Sequence, residues 1–337
     1  MQNFISQSNI FLILLIFAVS LFVLSKSANK FVDNAVVLSS IWGMPKIIIG
    51  ATVVSLGTTL PELISSVIGA INGNVGFAVG NAVGSIITNT SIIFGTAALF
   101  GKVYVREDSK KKFNILVLVC VILIIPSFIS KFGKTDGTLP QILGFIFLLL
   151  LPVYIVILIR QNKNNPNAFS CDNINLQKSA KTPKASITVI IIILFAFLLS
   201  ISASGLVASS VAIAQRLGVS DIVISSTLVA FGTSVPEFST AIASVKKNHG
   251  DLCLGNILGA DILNVLLVLG ASLCVSTNGM IIPQSFYLIH IPSLILVLFT
   301  FGYCVYNKNL NILTKKISLL LIALYVLYLL VNLKDLF

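Results

Sequence analysis

Acidic side chains are scarce in this chain: 11 aspartates and glutamates stand among 337 residues, against 22 lysines and arginines. Charged residues of both signs make up 10% of the sequence, where a soluble protein carries about 25%. Histidine occurs only as His249 and His290. The five cysteines, Cys120, Cys171, Cys253, Cys274 and Cys304, form no CxxC pair. These scarcities exclude several classes. There is too little polar surface to cover a water-soluble fold of this size. No Cys/His cluster is present to hold zinc or copper. There is no P-loop, ATPase aspartate motif or dinucleotide fingerprint, so no nucleotide is expected as energy source or partner.

Apolar residues are abundant, at 56%. Apolar stretches recur at 10–25, 113–129, 142–159, 187–199, 287–301 and 317–331, a pattern suited to a bilayer core about 30 Å thick. The sequence predicts an all-α membrane protein of ten spanning helices in the lipid bilayer. The first apolar stretch has no positive flank before Phe11 and reads as a retained span, not a signal peptide. With both termini outside, 18 of the 22 lysines and arginines fall on cytoplasmic segments, as the positive-inside rule requires. The longest polar segment, 161–188, is rich in Asn and Lys and contains Pro166 and Pro183. It divides the chain into a first five-helix repeat (1–160), a cytoplasmic linker (161–185) and a second five-helix repeat (186–337). The net charge of +11 is then a matter of topology and attraction to anionic lipid, and no nucleic acid is implied. No obligatory protein partner or cofactor is expected.

Two of the few acids sit in matched strings. "VSLGTTLPE" ends at Glu62 and "VAFGTSVPE" at Glu237, 175 residues later. The same offset brings Gly57, Thr58 and Pro61 onto Gly232, Thr233 and Pro236. It brings Gly80, Asn81, Gly84 and Asn89 onto Gly255, Asn256, Gly259 and Asn264. Chance aligns leucines readily, but not Gly, Pro, Asn and Glu at one spacing, so this is an internal duplication. Five helices per half would invert the second half relative to the first, the arrangement of many secondary transporters.

Glycine and proline within each string predict a broken helix at membrane depth, tolerated only where protein or a polar cavity covers it. The break would free the carbonyls of Ser55 and Ala230 as ligands. Thr58, Thr59, Thr233 and Ser234 add hydroxyls, and Glu62 and Glu237 add charge. An intramembrane carboxylate is costly unless neutralised, and neither motif contains a base. Two carboxylates match one divalent cation, and an all-oxygen donor set favours a hard one such as Ca²⁺. In the partner strings GNAVGSIITN (80–89) and GNILGADILN (255–264), Ser85 and Asn89 share a face. Asn264 occupies the matched place.

These paired GT[ST]xPE and GNxxG strings resemble the calcium/cation antiporter superfamily, most nearly the prokaryotic sodium/calcium exchangers. The likeness covers 50–100 and 225–273. It implies a central Ca²⁺ site on Glu62 and Glu237 with Thr58 and Thr233. It also implies flanking Na⁺ sites that share the two glutamates. Ser55, Thr58, Thr59 and Ser85 would serve one side, and Ala230, Thr233 and Ser234 the other, with Asn89 and Asn264 beside the centre. It further implies electrogenic Na⁺/Ca²⁺ antiport by alternating access in a prokaryotic plasma membrane, not an enzymatic activity. Two positions depart from the pattern. Ala260 stands where a serine is expected. Asn264 stands where archaeal members carry aspartate; potassium-dependent relatives carry aspartate there too, which argues against K⁺ cotransport. Asp261 is an unusual acid that could turn toward the weakened side or pair near the helix end.

The alternatives are H⁺/divalent cation antiport, a passive cation channel and a membrane scaffold. Elsewhere, Asp33 is expected to pair with Lys30. Ser220–Asp221 reads as a helix cap, and Trp42 as an interfacial anchor. Ser65, Ser66, Ser239 and Thr240 read as path-lining or packing residues.

Overall fold

The structure, a computed structural model, describes residues 8–73, 75–105, 107–132, 136–163, 184–218, 230–277, 279–284, 286–307 and 314–334. Almost all of this is helix. In chain order the elements are α1 (Ile10–Trp42), α2 (Lys46–Thr58), α3 (Leu60–Ile71), α4 (Gly76–Phe100) and α5 (Asp108–Lys131). Then come β1 (Gly137–Leu139), α6 (Gln141–Arg160), α7 (Ala185–Arg216), α8 (Ala230–Gly232), α9 (Val235–Lys246) and α10 (Gly250–Val275). The chain closes with β2 (Met280–Ile282), α11 (Phe286–Tyr306) and α12 (Lys315–Asn332). Eight of these helices are long and apolar enough to cross a membrane. The pair α2–α3, bent by 47°, makes a ninth if counted as one span. The tenth expected span corresponds to α8 and α9 together with residues 219–229, which lie outside the described residues, as does the Ser220–Asp221 cap.

The repeat seen in the sequence reappears in the element bounds. Shifted by 175 residues, α1 becomes 185–217 beside the observed Ala185–Arg216, and α3 becomes the bounds of α9. The helix Val75–Thr88 falls on Gly250–Leu263, and each is followed by a widened, π-helical turn, at Asn89–Ile93 and Asn264–Leu269.

Burial separates a centre from a rim. In α10, 83% of the most apolar window is buried, against 22% in α1. Gly255 and Gly259 make that centre possible. A Cβ on Gly259 would stand 2.5 Å from Ala51 Cα and 2.7 Å from Ser55 Oγ, so α10 lies directly against the backbone of α2. At the rim, α1 and α7 pack along each other and expose Phe11, Phe22, Ile190 and Phe197 outward. That is the expected face toward lipid. At 33 and 32 residues each is roughly 50 Å long, well beyond the bilayer core, so each must tilt or extend past it. The pair also leans on the breaks. Gly57 faces Phe31 of α1 and Ala196 of α7, and Gly232 faces Val207 of α7.

Asp33 pairs with Lys247 at 2.6 Å, not with Lys30. The Lys247 ammonium also donates to the Asn29 carbonyl, which pins α1 to the end of α9. Trp42 is exposed at the end of α1, consistent with an interfacial place. The strands β1 and β2 pair antiparallel, Gly137 opposite Ile282, and so join the two halves at one end.

Candidate functional site

Each GTxxPE string folds into one device. Helix α2 ends at Thr58, the axis bends at Thr59, whose N–H still reaches the Ser55 carbonyl, and α3 restarts at Leu60 with Pro61 in its first turn, a position that tolerates a missing N–H. Glu62 occupies that same turn. The break therefore makes a helix N-terminus inside the membrane and seats a carboxylate on its positive end. Val235, Pro236 and Glu237 repeat this at the start of α9.

The breaks come together because the halves interlock. The first broken helix packs on α10 of the second half, and α9 packs on α4 of the first. The widened turn at Asn89 meets the Glu237 helix, and the one at Asn264 meets the Glu62 helix. Glu62, Thr58, Thr59, Ser85, Asn89, Ser234, Glu237, Asp261 and Asn264 are all buried. Thr233 is half-buried, and Ala230 opens the short helix α8. The two glutamates lie close enough to repel each other.

Cross-half hydrogen bonds knit the site. Thr233 donates to Asn81 Oδ1 (3.3 Å), and Asn81 donates to Ser66 (2.9 Å). In the mirror position Thr58 lies 3.4 Å from Asn256 Oδ1, and Asn256 donates to Thr240 (3.1 Å). Asn81 and Asn256 are thus the scaffold that fixes the two threonines. They match at the 175-residue offset, which was the signal available in the sequence for a role beyond helix packing. Thr58 has further acceptors in reach, the Ser55 carbonyl at 3.3 Å and the Glu237 carboxyl. A hydroxyl holds one proton, so it satisfies one of them at a time. Ser65 donates to the Glu62 carbonyl.

The Ser55 carbonyl is not left free by the break. It accepts the Thr59 N–H at 2.9 Å as well as the Thr58 hydroxyl. Pro61 withholds its N–H from the residue four earlier, which is Gly57, so the Gly57 carbonyl also lacks that donor.

Five buried oxygens in this region have no hydrogen-bond partner: Thr59 Oγ1, Glu62 Oε2, Asn89 Oδ1, Glu237 Oε2 and Asn264 Oδ1. Buried polar atoms are nearly always paired. Five orphans, drawn from both halves and all able to act as acceptors, form a ready ligand set for a hard cation. Ala260 leaves a visible mark. Ser234 lies 3.4 Å from both Ser85 Oγ and Glu62 Oε1. Its counterpart at the 175-residue offset, Thr59, has no partner, and the counterpart of Ser85 is Ala260. Asp261 takes up Asn89 and Thr90 on its two oxygens. Among the described residues, no three Asp, Glu, His or Cys side chains converge as a metal cluster, but Asp261 adds a third buried carboxyl near enough to Glu237 to interact with it electrostatically.

Residues 12–160 and 187–334 match the sodium/calcium exchanger protein family. The chain is 31% identical over 272 residues to the inner membrane protein YrbG of Escherichia coli strain K12, covering 80% of this chain and 81% of that one. It is 28% identical over 293 residues to the sodium/calcium exchanger MaX1 of Methanosarcina acetivorans, covering 78% and 82%. The solved structure of the sodium-calcium exchanger NCX_Mj soaked with Na⁺ and Sr²⁺ superposes with a TM-score of 0.74 at 25% identity, over 95% of this chain and 98% of that one.

Proposed function

The chain belongs to the sodium/calcium exchanger family, a multi-pass membrane transporter and not an enzyme, and from that premise we propose that it exchanges Na⁺ for Ca²⁺ by alternating access. The observation that carries this reading is the set of five unpaired buried oxygens around Glu62 and Glu237. Two carboxylates balance one Ca²⁺. Asn89, Asn264 and the threonines supply neutral oxygens without adding charge. Na⁺ is small and hard enough to use the same atoms. Its place beside Ser85 and Ser234 on one side, and Thr58 and Thr59 on the other, would let several Na⁺ ions displace one Ca²⁺, with Ser55, Ala230 and Thr233 completing the shell. More than two Na⁺ per Ca²⁺ makes the exchange electrogenic.

The matching element bounds support two five-helix repeats of inverted orientation, ten spans in all. Repeats of that kind supply two similar packings, one open to each face. In this reading both termini face outward in a prokaryotic plasma membrane. Proton exchange is the second reading. Its support is the missing hydroxyl at Ala260, which removes one Na⁺ ligand and leaves the glutamates as proton acceptors.

Purified protein in Na⁺-loaded vesicles separates the two. Diluted into Na⁺-free buffer containing labelled Ca²⁺, they should accumulate Ca²⁺, and vesicles loaded with K⁺ or choline should not. Uptake that ignores Na⁺ and follows an imposed pH gradient would establish the proton reading. In the same assay Ala260→Ser should give Thr59 a hydroxyl partner. We expect the Na⁺ needed for half-maximal exchange to fall about two- to fivefold, the effect of one neutral hydrogen bond or ligand. Ca²⁺ half-saturation should hardly change. An unaltered Na⁺ requirement would remove Ala260 from any account of Na⁺ binding.

A further inference from the structure

The repeat is least faithful around Asp261. At the 175-residue offset its counterpart is Ile86, and the counterpart of Thr90 is Val265. Asp261 is fully buried, one turn before Asn264 on α10. Its Oδ1 accepts the Asn89 amide at 3.1 Å, and its Oδ2 accepts the Thr90 hydroxyl at 2.5 Å. Asn89 Oδ1 is buried and has no partner. An amide presents NH₂ on one side and oxygen on the other, and a carboxylate accepts but does not donate. Flipping Asn89 would set its oxygen against a carboxylate oxygen and its NH₂ where the unpaired oxygen now lies.

We propose that Asp261 is a positioning residue for cation binding: it holds the Asn89 amide in the one orientation that offers Oδ1 to a cation, while Thr90 fixes the Asp261 carboxylate itself. The proposal rests on the exchanger reading above, since it needs Asn89 as a ligand. It makes the centre lopsided. Asn89 is locked from behind, whereas the sequence provides no acid behind Asn264. It also gives Asp261 a role without making it a ligand.

The test measures Ca²⁺ binding to solubilised protein in Na⁺-free buffer, together with Ca²⁺ uptake by vesicles, for Asp261→Leu, Asp261→Asn, Asn89→Ala and the double variant. Leucine keeps the approximate size and removes the acceptor. Ca²⁺ half-saturation should rise about tenfold, with the maximal rate per inserted protein falling less than half-saturation rises. Asparagine can still accept from Asn89 through its own oxygen, so Asp261→Asn should restore half-saturation to within about threefold of the parent. In the Asn89→Ala background, Asp261→Leu should add nothing, because there is no amide left to orient. Equal losses in the leucine and asparagine variants would show that charge matters and not orientation. A full additional loss in the double variant would show that Asp261 acts independently of Asn89. Either result overturns the proposal. If Asp261→Leu fails to insert, Thr90→Val decides. It should raise half-saturation about two- to fivefold by freeing the Asp261 carboxylate, and an unchanged value overturns the proposal. Parent protein that neither binds nor transports Ca²⁺ removes the exchanger reading and this proposal together. A parent that does both, with Asp261→Leu unaltered, removes this proposal alone.

Discussion

Glu62→Gln and Glu237→Gln should each reduce Ca²⁺ exchange roughly a hundredfold or more while the protein still inserts and folds. A carboxylate and a divalent ion about 4 Å apart share about 8 kcal/mol at an effective dielectric of about 20, and loss of a third of that is on the order of a hundredfold. Glutamine keeps the shape and one oxygen, so the loss isolates charge from packing. Both glutamates are buried, and each has one oxygen with no partner. Neither is held by a basic residue among the described ion pairs. Removing an uncompensated charge relieves a cost, so solubilised variants should unfold at the same temperature as the parent or higher. Vesicle uptake per inserted protein and a thermal unfolding curve together check this. Near-parental flux in both variants would mean that the cation site lies elsewhere.

The second large effect is electrical. If three Na⁺ leave for each Ca²⁺ that enters, one net positive charge leaves the vesicle per cycle. An inside-positive potential should then drive Ca²⁺ inward. Each charge is worth about 2.3 kcal/mol per 100 mV, which shifts the final accumulation ratio roughly fiftyfold. Vesicles clamped by a K⁺ gradient and an ionophore at opposite polarities should therefore differ strongly in final Ca²⁺ content. The same content at both polarities would mean two Na⁺ per Ca²⁺ and an electroneutral cycle.

Much of this site could be read from the chain before any coordinates. Glu62 and Glu237 stand out because a membrane leaves few places for an acid, and the duplication marks which acids recur. The 175-residue offset also anticipated element bounds, since two copies of one sequence pattern break at the same glycines and prolines. What stayed hidden was mostly long-range. Lys30 is three residues from Asp33, but the partner it finds, Lys247, is 214 residues away. Local spacing says nothing about such a pair. Asp261 likewise finds its donors more than 170 residues off, and nothing along α10 shows that it faces Asn89.

The widened turns at Asn89 and Asn264 act as phase shifters along the two central helices. A turn closed by bonds five residues apart holds one residue more than an α-helical turn. Everything beyond it is set back by about 100° around the helix axis relative to an uninterrupted helix of the same residues. Upstream of the turn, α4 presents Ser85 to Ser234. Downstream, Gly95 lies against the backbone of α12 at Ser318. Closing the same residues as a plain α-helical turn would rotate one of these faces away from its neighbour by about 100°. Deleting one residue between 90 and 93 would let the turn close as plain α-helix with both ends still in register, whereas inserting one more would rotate one end by about 100°.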